Sequence, residues 1–351
     1  MVPAQPRRGF AAAGIVLILS GCGGSGAPTA PAPGTPITPA PPPTPGSSIT
    51  ARVVSTFAPT QGIGGVTVVN EQLGETTTNA DGYFTLQAIA PLAYAIRVNG
   101  TSWVERQTYL RVPGAETSVS LIPQALNMTY FDEMCRAFGR LLRWGSAPVL
   151  VVETAVLQYG SRVASEDTVP ADVVERTMND VRSGLALQSA GRFPDFASIE
   201  IRRTTAGAAS TVPSGAVGLT WQRGLGTGFG HVAYGARAPG AADGGLIRGE
   251  VALDFDWHVH GLPAGSRRDS FNVIHHELGH TLGYSHTKVA PSFMYEVFLM
   301  TVSAQDRQAF EVFMQRPSGN QTPDIDPAEA PLNFNAVTEE MQIPRCAFLA
   351  R

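Results

Sequence analysis

Three histidines and one glutamate, His276, Glu277, His280 and His286, fall within eleven consecutive residues, in the order H-E-x-x-H-x-x-G-x-x-H. Only seven histidines occur in the 351 residues. Chance produces this five-position pattern on the order of once in 10⁵ chains of such composition, so the spacing is informative. Imidazole nitrogens four residues apart on a helix lie on one face and can point at one ion. Glu277 sits beside them, close enough to reach a water at that ion without replacing a ligand. Gly283 accepts positive φ and lets the chain leave the helix sharply, so that His286 can return as a third nitrogen. Three histidines leave a fourth position open, the arrangement of a catalytic rather than a structural zinc.

These side chains need a helix through residues 276–282, with Asp269 or Ser270 as plausible caps, and a buried stripe of Ile274, Leu278 and Leu282. The flanking chain from about residue 126 reads as α/β. Strands are expected over residues 147–152, 198–202, 216–221 and 246–258, and a helix over 169–190, with Val173, Val174, Met178, Val181, Leu185 and Leu187 mostly on one side. Ser303-Ala304-Gln305-Asp306 resembles a capping box and starts a last helix running to about Met314. Residues 224–230 are glycine-rich, but no Lys-Ser/Thr follows, so a phosphate-binding loop is not supported.

The elongated histidine motif followed by a nearby methionine resembles the metzincin clan of zinc metalloendopeptidases. Met294, in Pro291-Ser292-Phe293-Met294-Tyr295, lies eight residues past His286 and suits the clan's Met-turn. Thr287 after the third histidine and Tyr295 after the methionine are closest to the matrixin branch, and Glu296 stands where other branches carry a tyrosine ligand. The resemblance spans most of residues 126–316 and implies one catalytic Zn²⁺ held by His276, His280 and His286, with Glu277 as general base and Met294 packed beneath the metal. It also implies an extended peptide along an edge strand, here residues 230–236.

Departures from the family pattern leave alternatives open. Ala252 stands where matrixins place a histidine for a structural zinc. Asp254, Asp256, His258 and His260 alternate and in a strand would share one face, either as a Ca²⁺ or second-metal site or as a solvated polar face. His275 points about 100° around the helix from His276 and reads as structural. Cys135 and Cys346 form a candidate disulfide. The alternative is suggested by Pro344-Arg345-Cys346, which resembles the zinc-silencing tripeptide of matrixin zymogens.

The segments before residue 126 bear on where such chemistry would take place. Arg7 and Arg8 precede a ten-residue apolar stretch, residues 10–19, too short to span a bilayer. Leu19-Ser20-Gly21-Cys22 resembles the lipobox of bacterial lipoproteins, which implies a signal peptide over 1–22, lipidation at Cys22 and a protein held on the cell envelope, at the outer membrane in a Gram-negative host. Residues 23–48, rich in Pro, Ala and Thr, read as an extended linker. Residues 49–123 carry short strands at 49–55, 65–70, 83–87, 94–98 and 117–121, with a turn at Asn79-Ala80-Asp81-Gly82, the pattern of a small all-β sandwich. Thr76-Thr77-Thr78-Asn79-Ala80-Asp81-Gly82-Tyr83-Phe84-Thr85-Leu86 is similar to the carboxypeptidase regulatory-like domain, which implies a non-catalytic spacer or binding module.

The expected fold is therefore multi-domain: an all-β sandwich over 49–123, then an α/β (α+β) metzincin-like protease domain over 126–351. The expected function is a zinc-dependent endopeptidase acting on extracellular or periplasmic proteins. The alternative is a surface-anchored binding or adhesion lipoprotein with a vestigial zinc site. A net charge of −4 without runs of like charge gives no footprint for nucleic acid.

Overall fold

A computed structural model of the chain describes residues 48–328 apart from 91, 113–116, 226–232, 240–244, 261–266 and 297–300, with backbone alone for 233–239 and 267–270. The expected signal peptide, Cys22, nearly all of the linker, His231 and Cys346 lie outside the described residues. Among the described residues no helix is long and apolar enough to cross a membrane. The molecule is mostly β-sheet with a few helices.

Its first part contains two four-stranded sheets. In one, β1 (Ser48–Ser55) pairs antiparallel with β2 (Ala58–Gly62) and β5 (Tyr83–Gln87) and parallel with β8 (Thr117–Leu121). The other is antiparallel, in the order β4 (Gly74–Thr77), β3 (Thr67–Asn70), β6 (Ala93–Asn99), β7 (Arg106–Arg111). Alternating side chains explain the layering: Tyr94, Ile96 and Val98 of β6 are buried while Ala95 and Arg97 between them are exposed. Both sheets contribute to one core, with Ile49, Ala51, Val53, Phe84 and Leu86 from the first and Val68, Tyr94, Ile96, Val98 and Leu110 from the second. The turn at residues 79–82 is present, closed by Asn79 Oδ1 accepting from the backbone N–H groups of Asp81 at 3.0 Å and Tyr83 at 2.9 Å. Three strands carry too little alternation to be expected from sequence. β2 contains a proline and no buried residue, β4 is almost wholly exposed, and β7 buries an arginine, Arg106.

The second part is built on a six-stranded sheet in the order β10 (Ala164–Thr168), β9 (Val149–Gln158), β12 (Ala216–Arg223), β14 (Leu246–Asp254), β13 (Ala233–Pro239), with β11 (Ile199–Arg202) also paired to β9. β9, β11, β12 and β14 are parallel, and β10 and β13 run antiparallel to their neighbours. Seven of the eight residues of β12 are buried, the continuous burial that a parallel central strand requires. One sheet face packs Leu150, Val152, Leu219, Trp221, Val251 and Leu253 into a core shared with the helices. These are α1 (Met128–Cys135), α2 (Ala171–Gln188), α3 (Phe255–His260), α4 (Arg267–Leu282) and α5 (Ala304–Gln315).

One element differs in kind from expectation. The strand expected to reach His258 stops at Asp254, whose Oδ1 accepts from Trp257 N at 2.8 Å and caps α3. Asp254, Asp256, His258 and His260 therefore do not share a strand face: Asp254 and His258 are buried and Asp256 and His260 exposed. The shared strand face on which both alternatives depended, a calcium or second metal site or a solvated polar face, is absent from these residues.

Candidate metal centre

α4 owes its position to the apolar stripe read from sequence. Ile274, Leu278 and Leu282 all join the main core. Gly184 on α2 allows the two helices to meet closely, since a Cβ there would stand 2.7 Å from Leu278 Cδ2 and 3.1 Å from His275 Cδ2. His275 is buried between them; its carbonyl accepts from Gln188 Nε2 at 2.8 Å, and burial pushes its imidazole pKa down to about 4. It faces α2 and not the other histidines, as a structural residue should.

Two glycines shape the centre. A Cβ at Gly279 would lie 2.8 Å from both Met294 Sδ and Phe293 Cε2, so these side chains pack directly on the helix backbone between His276 and His280. Gly283 has φ of +116°, and a Cβ there would fall 2.0 Å from the Leu142 carbonyl oxygen. Both the left-handed backbone and the close approach exclude a side chain at the point where the chain leaves α4.

His276 Nε2 lies 3.1 Å and His280 Nε2 3.2 Å from His286 Nε2. The other ring nitrogen of each helical histidine faces a carbonyl: His276 Nδ1 meets Phe293 O at 2.7 Å and His280 Nδ1 meets Tyr284 O at 3.0 Å. A carbonyl accepts only, so each Nδ1 carries the proton and each Nε2 turns a lone pair inward. The two inward lone pairs face His286 Nε2, and a cation among the three nitrogens would satisfy them together. Tetrahedral Zn–N bonds of ~2.0–2.1 Å would set paired nitrogens about 3.3 Å apart, close to the spacing seen. The three residues thus fit a metal ion. Burial first, and then His286, push the His276 pKa down to about 3, which keeps it in the neutral form that a metal requires. Glu277, next to His276 on α4, is fully buried.

Below the histidines the chain turns at Ser292–Tyr295, where Tyr295 N donates to Ser292 O at 3.1 Å. Thr287 N donates to Met294 O at 3.0 Å and Glu296 N to Thr287 O at 3.2 Å, tying this turn to the residue after His286. Met294 has no exposed surface and packs under the centre. Asp306 anchors the turn from α5: its carboxylate accepts from Ser292 Oγ at 2.8 Å, Phe293 N at 3.2 Å and the Tyr130 hydroxyl, while closing the capping box with Ser303 N at 2.6 Å. The capping box was visible in sequence. The reach of the same carboxylate to Ser292 and Tyr130 was not. Among the described residues β13 lies at the end of the sheet beside β14; residues 233–236 of the expected peptide-binding strand fall in it, and residues 230–232 lie outside the described residues. Cys135 is buried on α1, and its pairing with Cys346 lies outside the described residues.

Residues 228–312 match the family model described as Matrixin. No curated protein matches the chain. Among solved structures, a C-terminal interface mutant of a type II cohesin–X-dockerin complex from Acetivibrio cellulolyticus is 18% identical over 21% of this chain and 52% of that one, at a TM-score of 0.18. An N-terminal interface mutant of the type II complex from the same organism is 16% identical over 24% of this chain and 61% of that one, also at 0.18. The matches thus span only about half to three fifths of those chains, and at such TM-scores they say nothing of this fold or its function.

Proposed function

We propose, on the premise of a matrixin-like zinc-protease domain in the C-terminal region, that this chain is a zinc-dependent endopeptidase cutting extracellular or periplasmic proteins. The observation that carries the reading is the convergence of the three Nε2 atoms of His276, His280 and His286, with the buried Glu277 next to His276 in the chain. His276, His280 and His286 would hold the ion. When bound, zinc supplies a Lewis acid that polarises a carbonyl oxygen and brings the pKa of water toward neutrality. Glu277 takes the proton from the attacking water and delivers it to the departing amine nitrogen. Met294 and Phe293 form the apolar floor that keeps water from the far side of the histidines. Among the described residues β13 ends the sheet, and that edge offers an extended peptide main-chain hydrogen bonds that would fix the scissile bond.

The Leu19-Ser20-Gly21-Cys22 motif supports a lipid anchor at Cys22 and placement on the bacterial cell envelope, with residues 49–123 as a spacer between membrane and protease. No nucleic-acid partner is invoked. Zinc content and cleavage of an unstructured protein substrate, measured for the wild type and Glu277→Gln, test the reading. Stoichiometric zinc in both with cleavage only in the wild type is expected. Equal cleavage by both removes Glu277 from the chemistry, and zinc without any cleavage by the wild type favours a surface binding protein instead. Incorporation of labelled palmitate, lost in Cys22→Ser, tests the anchor.

A further inference from the structure

His276 and His280 are held by the helix they stand on, but His286 stands on a loop and needs support of its own. That support comes from α1, which precedes it by about 150 positions and lies outside the residues matched by the family model. Ser285 N donates to Met134 O at 2.8 Å. Thr287 Oγ1 donates to Glu133 Oε2 at 2.8 Å, and Lys288 N donates to the same oxygen at 2.9 Å. The residues on both sides of His286 are thus tied to two successive residues of one helix. Thr287 is buried, and its hydroxyl also accepts from Val289 N at 3.1 Å, which closes the turn that follows. The helix is itself anchored. Asn127 caps it, Phe131 and Met134 are in the core, and the Tyr130 hydroxyl donates to Asp306 and lies 3.0 Å from Ser292 Oγ.

We propose that α1 is the positioning helix of the third histidine and that Glu133, through Thr287 and Lys288, sets the direction in which His286 Nε2 points. Glu133 is not one of the three residues that would hold the ion. It acts by holding a loop whose free motion would spread the three nitrogens apart, and a ligand set that must be ordered on binding binds more weakly than one already ordered. The inference rests on the reading of His276, His280 and His286 as a zinc site, but not on peptidase activity.

The test is the zinc affinity of the full chain, measured by competition with a chromophoric chelator, alongside circular dichroism to verify folding. Glu133→Ala is expected to weaken zinc binding about 10- to 100-fold, the range typical of residues that orient a ligand. Glu133→Gln retains an acceptor oxygen and is expected to recover to within roughly threefold of the wild type, because the hydrogen bonds rather than the charge hold the loop. Equal affinity of Glu133→Ala and wild type overturns the proposal, and so does a Glu133→Gln as weak as Glu133→Ala. Should Glu133→Ala fail to fold, Thr287→Val against Thr287→Ser carries the test: weaker binding by Val with recovery by Ser supports the clamp, and equal affinities overturn it. A wild-type chain that takes up no zinc overturns the metal reading itself, a result distinct from equal affinities in the variants.

Discussion

Ser292 Oγ donates to Asp306 Oδ1 at 2.8 Å, and neither residue has any exposed surface. This contact joins the turn beneath the histidines to the first turn of the last helix. The same carboxylate accepts from Phe293 N and Ser303 N, and from the Tyr130 hydroxyl. Burial first, and then the charge of Asp306, push the Tyr130 pKa far up, so that hydroxyl remains a donor. Asp306→Ala would leave the buried Phe293 N–H and the half-buried Ser303 N–H without their acceptor, at ~1–3 kcal/mol for each such group that water does not reach. A loss of about 3 kcal/mol in urea denaturation is expected, with weaker zinc uptake. Asp306→Asn should cost less, because the two hydroxyls can rotate to accept from its amide while its oxygen faces the backbone donors. An alanine variant as stable as the wild type would remove Asp306 from the support of the site.

The signals that reached sequence were the local ones. The convergence of His276, His280 and His286 follows from helix periodicity and the glycine that breaks it, both contained within eleven residues. Ile274, Leu278 and Leu282 follow from the same period. What sequence could not reveal were contacts between distant positions. Tyr130 and Glu133 sit in a helix of only eight residues, too short to show a sustained period, and their partners lie more than 150 positions away. α3 failed for a local reason: alternating Asp254, Asp256, His258 and His260 mimic a strand, and the competing signal was the ability of Asp254 to cap Trp257 N. β7 is paired on one side with β6 and bridged on the other through Gln107 to Ile325, a partner that no short-range pattern could indicate.

That bridge leads to a second prediction. Gln107 N donates to Asp324 O at 3.0 Å and Asp326 N to Gln107 O at 2.9 Å, so residues after α5 cover the edge of a sheet from the first part of the chain. A buried ionic network surrounds it. Arg316 donates to Asp324 at 2.7 and 2.8 Å and to Ser120 Oγ at 2.8 Å, and Arg106 donates to Asp326 at 2.8 Å. Burial raises the pKa of Asp324, but Arg316 and then Arg106 outweigh it and hold the carboxyl below its usual range. Removing one partner strands the other charge, at ~3–5 kcal/mol. Asp326→Ala is therefore expected to lower stability by about that amount, and Arg106→Met with Asp326→Leu to recover much of it. Because the network crosses between the two parts, the wild type should unfold in one transition by fluorescence and circular dichroism. Two separated transitions would show that the sandwich is only tethered.

A third prediction concerns acid. His258 on α3 is buried with its Nε2 3.1 Å from Thr177 Oγ1, and desolvation, with a smaller contribution from Arg176, pushes its pKa down to about 4. In the unfolded chain the same group titrates near 6.5. Between these values the unfolded state binds the extra proton, so His258 lowers stability as pH falls from about 6.5 to about 4 and has no effect on the slope above that window. Complete protonation across the window corresponds to at most ~3 kcal/mol. The metal-binding histidines titrate as well, so the measurement is the difference between wild type and His258→Gln, both in chelator, from pH 7.5 to 4.5. The wild type should lose more melting temperature than the variant below pH 6.5, and the two should run parallel above it. Parallel curves throughout would mean that His258 is already solvated in the folded protein and that α3 does not bury it.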